Sequence, residues 1–143
     1  EKLIPLTINK ALNWESIPVY GNGENIRDWI FVKDHVNALL RIMERNIINK
    51  NFVIGSRNEK TNIKVINEIC EIVNNNFQLN YDCKSLINFV DDRLGHDFRY
   101  ALNPRLFEKN TGWIPKNSFS ESIIETIYWY FNNKEWWKNF IKF

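Results

Sequence analysis

The chain has 143 residues, which is enough to bury a core without disulfide bonds. Hydrophobic residues make up 44% of it and charged residues 25%, a globular composition, and no apolar run approaches the roughly 18 residues of a membrane span. The net charge of +2 is scattered along the chain, so we expect neither a nucleic-acid surface nor a membrane anchor.

Short strands alternate with helices in the pattern of apolar residues. In chain order the predicted elements are a helix at 3–12, strands at 17–20 and 29–31, a helix at 32–45, a strand at 51–55, a helix at 63–73, a strand at 87–90, a short helix at 104–111 and a last helix at 119–131. The strands are too few and too short for a complete doubly wound sheet. The expected fold class is therefore α/β, a small α+β-like lobe without a complete Rossmann sheet.

Local signals support several of these boundaries. Pro18 cannot donate to a ladder, so its strand should be an edge strand or a strand start. Asn103 and Pro104 start a helix that Gly112 ends. Ser118 begins a capping box before the last helix.

The two cysteines, Cys70 and Cys83, form no metal or redox motif. Cys70 recurs at helical spacing with isoleucines and is most simply a core residue. We therefore expect reduced thiols in a cytoplasmic protein.

The first candidate site is the turn that follows the strand at 17–20. Gly21 and Gly23 allow the backbone to pass close to a ligand. Tyr20 offers a flat face for stacking on a ring, and Arg27 offers a fork of donors for a phosphate. The alternative is a hairpin turn with a surface arginine.

The second candidate site directly follows the strand at 87–90. Residues 91–100 contain three aspartates, two arginines and one histidine. Ligand sites of α/β proteins lie just beyond strand ends. Arg93 could pair with a phosphate, and His96 could donate a hydrogen bond or carry charge near neutral pH. The alternative is a solvated loop with internal salt bridges, and without a second histidine nearby we expect no metal site.

The start of the helix at 63–73 is a weaker candidate. Thr61 or Asn62 would cap this helix, and Asn62 could also reach an anion at the helix N-terminus. No nucleophile has an adjacent base, and no G-x-G-x-x-G motif is present. The only Tyr-x-x-x-Lys spacing is Tyr130 with Lys134, which we attribute to chance. We therefore expect no catalytic residue.

Together these motifs resemble the C-terminal half of extended short-chain dehydrogenase/reductases. Residues 1–5, 51–62, 112–113 and 135–137 add to the likeness, and residues 92–101 resemble the dTDP-glucose 4,6-dehydratases in particular. The stretch Arg-x-Gly-His-Asp-x-Arg-Tyr at 93–100 is the most specific part, and Leu94 stands where that family usually has Pro. A missing Pro makes the unbound loop less rigid.

The resemblance implies that residues 1–143 are a single substrate-binding domain for a dTDP-sugar. The implied substrate contacts are Lys2, Leu3, Pro18, Val19, Tyr20, Arg27, Asn62, Asp92, Arg93 and His96. Pro18, Val19 and Tyr20 would line the thymine pocket, while Lys2 and Leu3 would contact the nucleotide sugar. The remaining polar side chains would hold the diphosphate and ribose.

Complete enzymes of this kind oxidise the sugar C4 with NAD, eliminate water across C5 and C6, and return the hydride to C6. Their NAD motif, Tyr-x-x-x-Lys pair and acid/base pair belong to an N-terminal Rossmann domain that this sequence lacks. The chain starts at Glu1 without an initiator methionine. We therefore expect a C-terminal fragment that binds no NAD and has no dehydratase activity alone.

Two alternatives stay open. The chain could be the same lobe of a UDP-sugar epimerase or decarboxylase. It could also be a non-catalytic interaction module, whose aromatic end around Trp136 and Trp137 contacts a missing N-terminal lobe or a second copy.

Overall fold

The computed structural model describes residues 2–137. In chain order its elements are α1 (Leu3–Leu12), β1 (Ile17–Tyr20), β2 (Ile26–Asp28), α2 (Val32–Glu44), β3 (Glu59–Thr61), α3 (Asn62–Asn76), a 3-10 helix (Cys83–Leu86), β4 (Ile87–Val90), β5 (Arg99–Tyr100), α4 (Arg105–Thr111), α5 (Phe119–Asn132) and α6 (Lys134–Trp137). The chain divides into two compact units. The first comprises the residues up to Glu24, Thr61–His96 and those from Ser120 onward; the second comprises Asn25–Lys60 and Asp97–Phe119.

The strands form two small sheets, and the expected α/β class without a complete Rossmann sheet is confirmed. In the first unit β1 pairs with β4 in a parallel ladder. The second unit contains a sheet in the order β3-β2-β5, in which β2 and β5 are parallel. Every strand has at most four residues, so backbone pairing alone cannot stabilise either sheet and side-chain burial must do so.

The core of the first unit includes most of the apolar residues that helical spacing predicts for α3. In α5 the prediction holds for Ile123 and Ile127, whereas Ile124, Tyr128 and Phe131 are between 38% and 42% exposed. The fully buried apolar side chains of this unit are Ile8, Ala11, Ile17, Val19, Val65, Ile66, Ile69, Cys70, Val73, Cys83 and Ile127. The α5 helix lies along α3, where the Ser120 hydroxyl donates to Glu68 at 2.5 Å and Tyr128 packs on Phe77. Removing these side chains from water is the main stabilising term of this unit.

The second unit has a smaller and more aromatic core. Ala38, Phe107 and Trp113 are buried together, and four half-buried side chains pack on them: Ile30, Ile42, Phe52 and Ile54. The predicted stop of the short helix is confirmed, because Gly112 adopts φ 68° at the C-cap of α4. Its predicted N-cap is one residue off: Pro104 is the N-cap, and the Asn103 side chain accepts from the Arg105 backbone N–H.

Two predicted strands are misplaced. Residues 29–31 follow β2 and are not part of it, and Trp29 instead donates its indole N–H to the Lys60 carbonyl at 3.2 Å. Residues 51–55 have a strand-like composition but form no strand. A strand needs a neighbouring backbone with which to pair, and within residues 2–137 this segment has none. Its side chains still pack, with the Phe52 ring 5.5 Å from that of Phe107.

The helix at 32–45 is confirmed as α2, and it carries the apolar face that the spacing predicts. That face is not buried. Five of its side chains are between 45% and 71% exposed: Val32, Val36, Leu39, Leu40 and Met43. The α2 face, as we call these five residues, is an apolar surface of the second unit that nothing in the described chain covers. The opposite side of the helix is anchored by Asp34, which is buried and accepts from the Lys116 and Asn117 backbone N–H groups.

At the end of the chain, the aromatic residues differ in their exposure. Trp137 is buried and donates its indole N–H to the Tyr130 carbonyl at 2.7 Å, whereas Trp136 is 62% exposed. The rest of the predicted aromatic end, Phe140 and Ile141, lies outside the described residues.

Candidate functional site

The two candidate motifs of the first unit meet at one edge of its parallel sheet. β1 and β4 run in register, so that Tyr20 is opposite Val90. Parallel strands present their carboxyl ends at the same edge. The glycine turn after β1 and the charged loop after β4 therefore leave the sheet side by side, and the Gly21 N–H donates to the Val90 carbonyl at 2.9 Å. Chain topology thus creates the strand-end position at which α/β proteins bind ligands.

The glycine turn is packed against the start of α3. Gly23 has φ 74°, and a Cβ there would lie 2.8 Å from Val19 Cγ1 and 2.9 Å from Ile63 Cβ. Its carbonyl accepts from the Ile63 backbone N–H at 3.0 Å. Only glycine satisfies both the left-handed backbone and the close contact. The turn therefore lies beside the helix start that contains Asn62.

The charged loop is organised by a chain of hydrogen bonds through His96. Nδ1 of His96 lies 2.7 Å from Asp92 Oδ1, and Nε2 lies 2.9 Å from Arg93 Nη2. A guanidinium has donors only, so Nε2 must be the acceptor of that contact. The ring proton then resides on Nδ1 and is donated to Asp92.

Asp92 is the anchor of this loop. Its Oδ1 accepts both from His96 and from the Arg93 backbone N–H at 2.8 Å. The hydrogen bond from His96, and after it the one from the Arg93 backbone, lowers the pKa of the Asp92 carboxyl below its usual value. The side chain of His96 is only 5% exposed, against 45% for that of Asp92. The imidazole is therefore held inside the loop while the carboxylate faces water.

Arg93 joins the two motifs. Its guanidinium carbon lies 5.0 Å from the centre of the Tyr20 ring, within the range of a cation–π contact. One N–H group of the Arg93 guanidinium contacts His96, so the other N–H groups of the guanidinium remain available to donate to an anion. We call Tyr20, Asp92, Arg93 and His96 the strand-end cluster. It combines an aromatic face with guanidinium donors, and these groups suit an aromatic ring and a phosphate.

The other predicted contacts of the first unit lie in different surroundings. Thr61 is the N-cap of α3 and accepts from Lys64 N at 3.4 Å, so Asn62 is the first residue of the helix and not its cap. Lys2 is exposed and precedes α1, while Leu3 is half-buried in the first turn of that helix. Val19 is buried in the core beside Gly23, and Pro18 is half-buried. Leu94, in the place of the usual Pro, is fully exposed at the tip of the loop.

Arg27 belongs to the second unit. It lies on β2 and donates to two backbone carbonyls, those of Ile26 at 2.7 Å and Asp97 at 2.9 Å. Asn25 donates to the same Asp97 carbonyl at 3.3 Å. These contacts tether the guanidinium to backbone carbonyls of its own unit, and its role toward a ligand remains a prediction.

The residue next to Arg27 has a structural role that the sequence analysis did not assign. The Asp28 carboxylate accepts from the backbone N–H groups of Ser56 at 3.1 Å and Asn58 at 2.9 Å, and the Ser56 hydroxyl lies 2.7 Å from Oδ1. A Cβ at Gly55 would lie 2.6 Å from Oδ2. The signal that could have revealed this role is the Gly-Ser-x-Asn sequence that follows residues 51–54, because the N–H groups of such a turn need an acceptor when the turn is partly buried, as it is here.

Residues 2–137 were also compared with the side-chain arrangement of a metal site and with the length and hydropathy of a membrane-spanning helix. No group of three or more His, Cys, Asp or Glu side chains there is arranged to hold a metal ion. In the same part of the chain, every helix is too short or too polar to cross a bilayer.

Comparisons with known proteins find a family model and curated relatives that are described as nucleotide-sugar 4,6-dehydratases. The family model described as GDP-mannose 4,6 dehydratase matches residues 1–126. A dTDP-glucose 4,6-dehydratase from Escherichia coli is 43% identical over 142 residues, which are 96% of this chain and 39% of that protein. A second one, from Neisseria meningitidis, is 41% identical and is covered to 40% of its length. The chain thus spans about 40% of the length of the curated relatives it matches.

Solved structures of two dTDP-glucose 4,6-dehydratases are also similar to this chain. The crystal structure of dTDP-glucose 4,6-dehydratase from Bacillus anthracis in complex with NAD superposes with a TM-score of 0.83 at 37% identity, covering 98% of this chain and 42% of that one. DesIV, a dTDP-glucose 4,6-dehydratase from Streptomyces venezuelae with NAD and TYD bound, gives 0.86 at 30% identity, covering 98% and 41%.

Proposed function

The chain belongs to the GDP-mannose 4,6 dehydratase family, and from this premise we propose that it is the C-terminal, nucleotide-sugar-binding part of a dTDP-glucose 4,6-dehydratase. The observation that carries the proposal is the strand-end cluster, in which Arg93 lies over Tyr20 at the shared edge of two parallel strands. It supports a substrate that combines a pyrimidine ring with a diphosphate. We also propose a cytoplasmic location, which the low cysteine content of the chain, two in 143 residues, supports.

Each side chain of the strand-end cluster has a different role in the proposed binding. The free donors of Arg93 are suited to a bidentate contact with phosphate oxygens. Both ring nitrogens of His96 are engaged inside the loop, so in this role His96 holds Arg93 in place and Asp92 holds His96. Tyr20 offers its ring to the thymine and keeps the guanidinium plane oriented. The part of the chain that touches substrate is thus preorganised before the substrate arrives.

The redox and elimination chemistry belongs, in this proposal, to the portion of the family enzyme that the chain does not contain. NAD would supply hydride removal at the sugar C4 and hydride return at C6, which makes the complete enzyme a lyase with an internal redox step. The glycine turn of this chain does not fit a dinucleotide. The Gly23 N–H donates to Tyr20 and its carbonyl accepts from Ile63, so the turn is closed by its own contacts. We therefore propose that this chain alone neither holds NAD nor performs the reaction.

The α2 face supports a protein partner for the second unit. An apolar stripe of five side chains, each about half exposed or more, is costly to leave in water. Residues 51–55, with their strand-like composition, also lack a pairing strand within the described chain. A partner that supplies a strand and an apolar surface would pair with residues 51–55 and cover the α2 face. We propose that this partner is the NAD-binding portion of a family enzyme, with a second copy of this chain as the alternative.

Calorimetry with the purified chain tests the substrate class. We expect binding of dTDP that is tighter than binding of UDP, and no detectable binding of NAD. Equal or tighter UDP binding would favour the lobe of an epimerase or decarboxylase. Absence of nucleotide binding, together with concentration-dependent self-association, would favour a non-catalytic interaction module, the second candidate that the α2 face supports.

A complementation assay tests the proposed partner. The chain is mixed with a separately produced NAD-binding portion of the Escherichia coli relative, and 4-keto-6-deoxy sugar is measured from dTDP-glucose and NAD. Neither protein alone should form product, whereas the mixture should. A Leu40→Lys variant, charged in the middle of the α2 face, should lose complementation but keep its affinity for dTDP. Product formed by the chain alone would refute the proposal.

A further inference from the structure

Cys70 and Cys83 form a close, fully buried pair that the proposed function does not use. Their Sγ atoms are 2.9 Å apart, and neither residue is exposed to solvent. Cys70 lies in α3, and Cys83 opens the 3-10 helix that leads directly into β4. We propose that the two residues form a redox-active dithiol that closes to an intramolecular disulfide.

The backbone around Cys83 is held in the position that the pairing requires. Asn74, one turn after Cys70 on α3, accepts from the Cys83 backbone N–H at 2.9 Å and donates to Asp82 at 2.6 Å. Asp82 in turn accepts from the Lys84 backbone N–H at 2.9 Å. The same helix that contains Cys70 therefore also positions Cys83. Most buried cysteines pack singly among apolar side chains, and this one is fixed against a second thiol.

The two thiols differ in reactivity and in access. The hydrogen bond between them lowers the pKa of Cys83, while the same bond and burial raise the pKa of Cys70. Cys83 also lies between the exposed residues Asp82 and Lys84, in a helix of four residues. Local opening of such a short element exposes Cys83 while α3 stays folded. Cys83 is therefore the attacking sulfur and Cys70 the resolving one.

The reaction is thiol–disulfide exchange with a low-molecular-weight disulfide such as oxidised glutathione. The Cys83 thiolate attacks one sulfur of the disulfide, forms a mixed disulfide and releases one thiolate. The Cys70 thiol loses its proton to solvent and its sulfur displaces the second small thiolate from Cys83. The two cysteines are oxidised by two electrons, and the small disulfide is reduced to two thiols. The bond closes a loop around the polar segment between α3 and β4.

The test is carried out on the purified whole chain, independently of nucleotide binding. The chain is incubated with oxidised glutathione, denatured, alkylated and examined by intact mass and peptide mapping. We expect a product lighter by two hydrogen atoms, with no alkyl group, no glutathione and one cross-linked peptide pair that contains Cys70 and Cys83. Its melting temperature should rise, and dithiothreitol should reverse the rise.

Two variants assign the roles of the sulfurs. Cys70→Ser should accumulate a stable glutathione adduct on Cys83, whereas Cys83→Ser should react on Cys70 at least about tenfold more slowly. The proposal would be overturned if the folded wild-type chain kept two alkylatable thiols while the urea-unfolded chain oxidised. It would also be overturned by a product that stops at a glutathione adduct or that is a disulfide-linked dimer. Peptide mapping of the oxidised wild-type chain tests the proposed disulfide even if a serine variant fails to fold.

Discussion

The guanidinium of Arg93 lies 5.0 Å from the centre of the Tyr20 ring, although the two residues come from motifs separated by about half of the chain. The parallel pairing of β1 with β4 places them there. Arg93 and Tyr20 are each predicted to contact a ligand, and their contact with one another joins the two motifs into one candidate site. The first prediction tests that site directly.

Replacing Arg93 with alanine should weaken dTDP binding by about 10- to 100-fold, the effect of losing charge-assisted hydrogen bonds to phosphate. Titration calorimetry measures it. The matched control is Arg45→Ala, which removes an exposed arginine after α2 and should leave the affinity unchanged. An equal loss in both variants would mean that Arg93 contributes only general positive charge.

Asp92→Asn should lower stability in a pH-dependent way. The hydrogen bonds from His96 and the Arg93 backbone depress the pKa of the Asp92 carboxyl in the folded chain. A group with a depressed folded pKa adds stability above its unfolded pKa, about 4, and that contribution is lost as pH falls through the lower folded value. Melting temperatures of both proteins from pH 7 to pH 3 measure the effect. The wild type should be the more stable protein above about pH 5, and the difference should shrink in acid; a constant difference would contradict the assignment.

Gly23→Ala and Gly95→Ala form a matched pair. Both glycines have positive φ, 74° and 71°, so each alanine incurs about 1–2 kcal/mol of left-handed strain. An added Cβ meets Val19 and Ile63 within 2.9 Å at position 23, and nothing within 4 Å at position 95. Gly23→Ala should therefore cost about 1–3 kcal/mol more in the free energy of unfolding. Urea denaturation measures it, and equal costs would show that the turn does not pack on α3.

Asp28→Ala should destabilise the second unit by about 2–4 kcal/mol, because it removes the acceptor of the Ser56 and Asn58 N–H groups. Chemical denaturation followed by Trp fluorescence suits this measurement, since Trp113 lies in the core of that unit. Asp91→Ala, an exposed aspartate with no comparable role, serves as control and should change stability by less than about 0.5 kcal/mol. A similar loss in both variants would argue against the capping role of Asp28.

Much of the local structure can be predicted from the sequence because interactions between residues that are close together in the chain determine it. The helix at 3–12 is found with both ends where they are predicted, and Gly112 ends α4 through its left-handed conformation. The stripe of Ile66, Ile69, Cys70 and Val73 is buried as its spacing indicates. The stretch at 92–101 and the glycine turn were identifiable as candidate sites from residue types and resemblance. Each of these features depends on neighbours within a few positions along the chain.

Other features depend on distant partners, and only the tertiary structure decides them. Residues 51–55 have strand propensity but no strand to pair with, and the apolar face of α2 looks like a core stripe yet lies in water. The contact of Arg93 with Tyr20 requires elements far apart in the sequence to meet, and the approach of Cys83 to Cys70 requires the 3-10 helix to pack against α3. Local propensity specifies which element a segment favours, whereas pairing, burial and hydrogen-bond geometry are properties of the assembled chain.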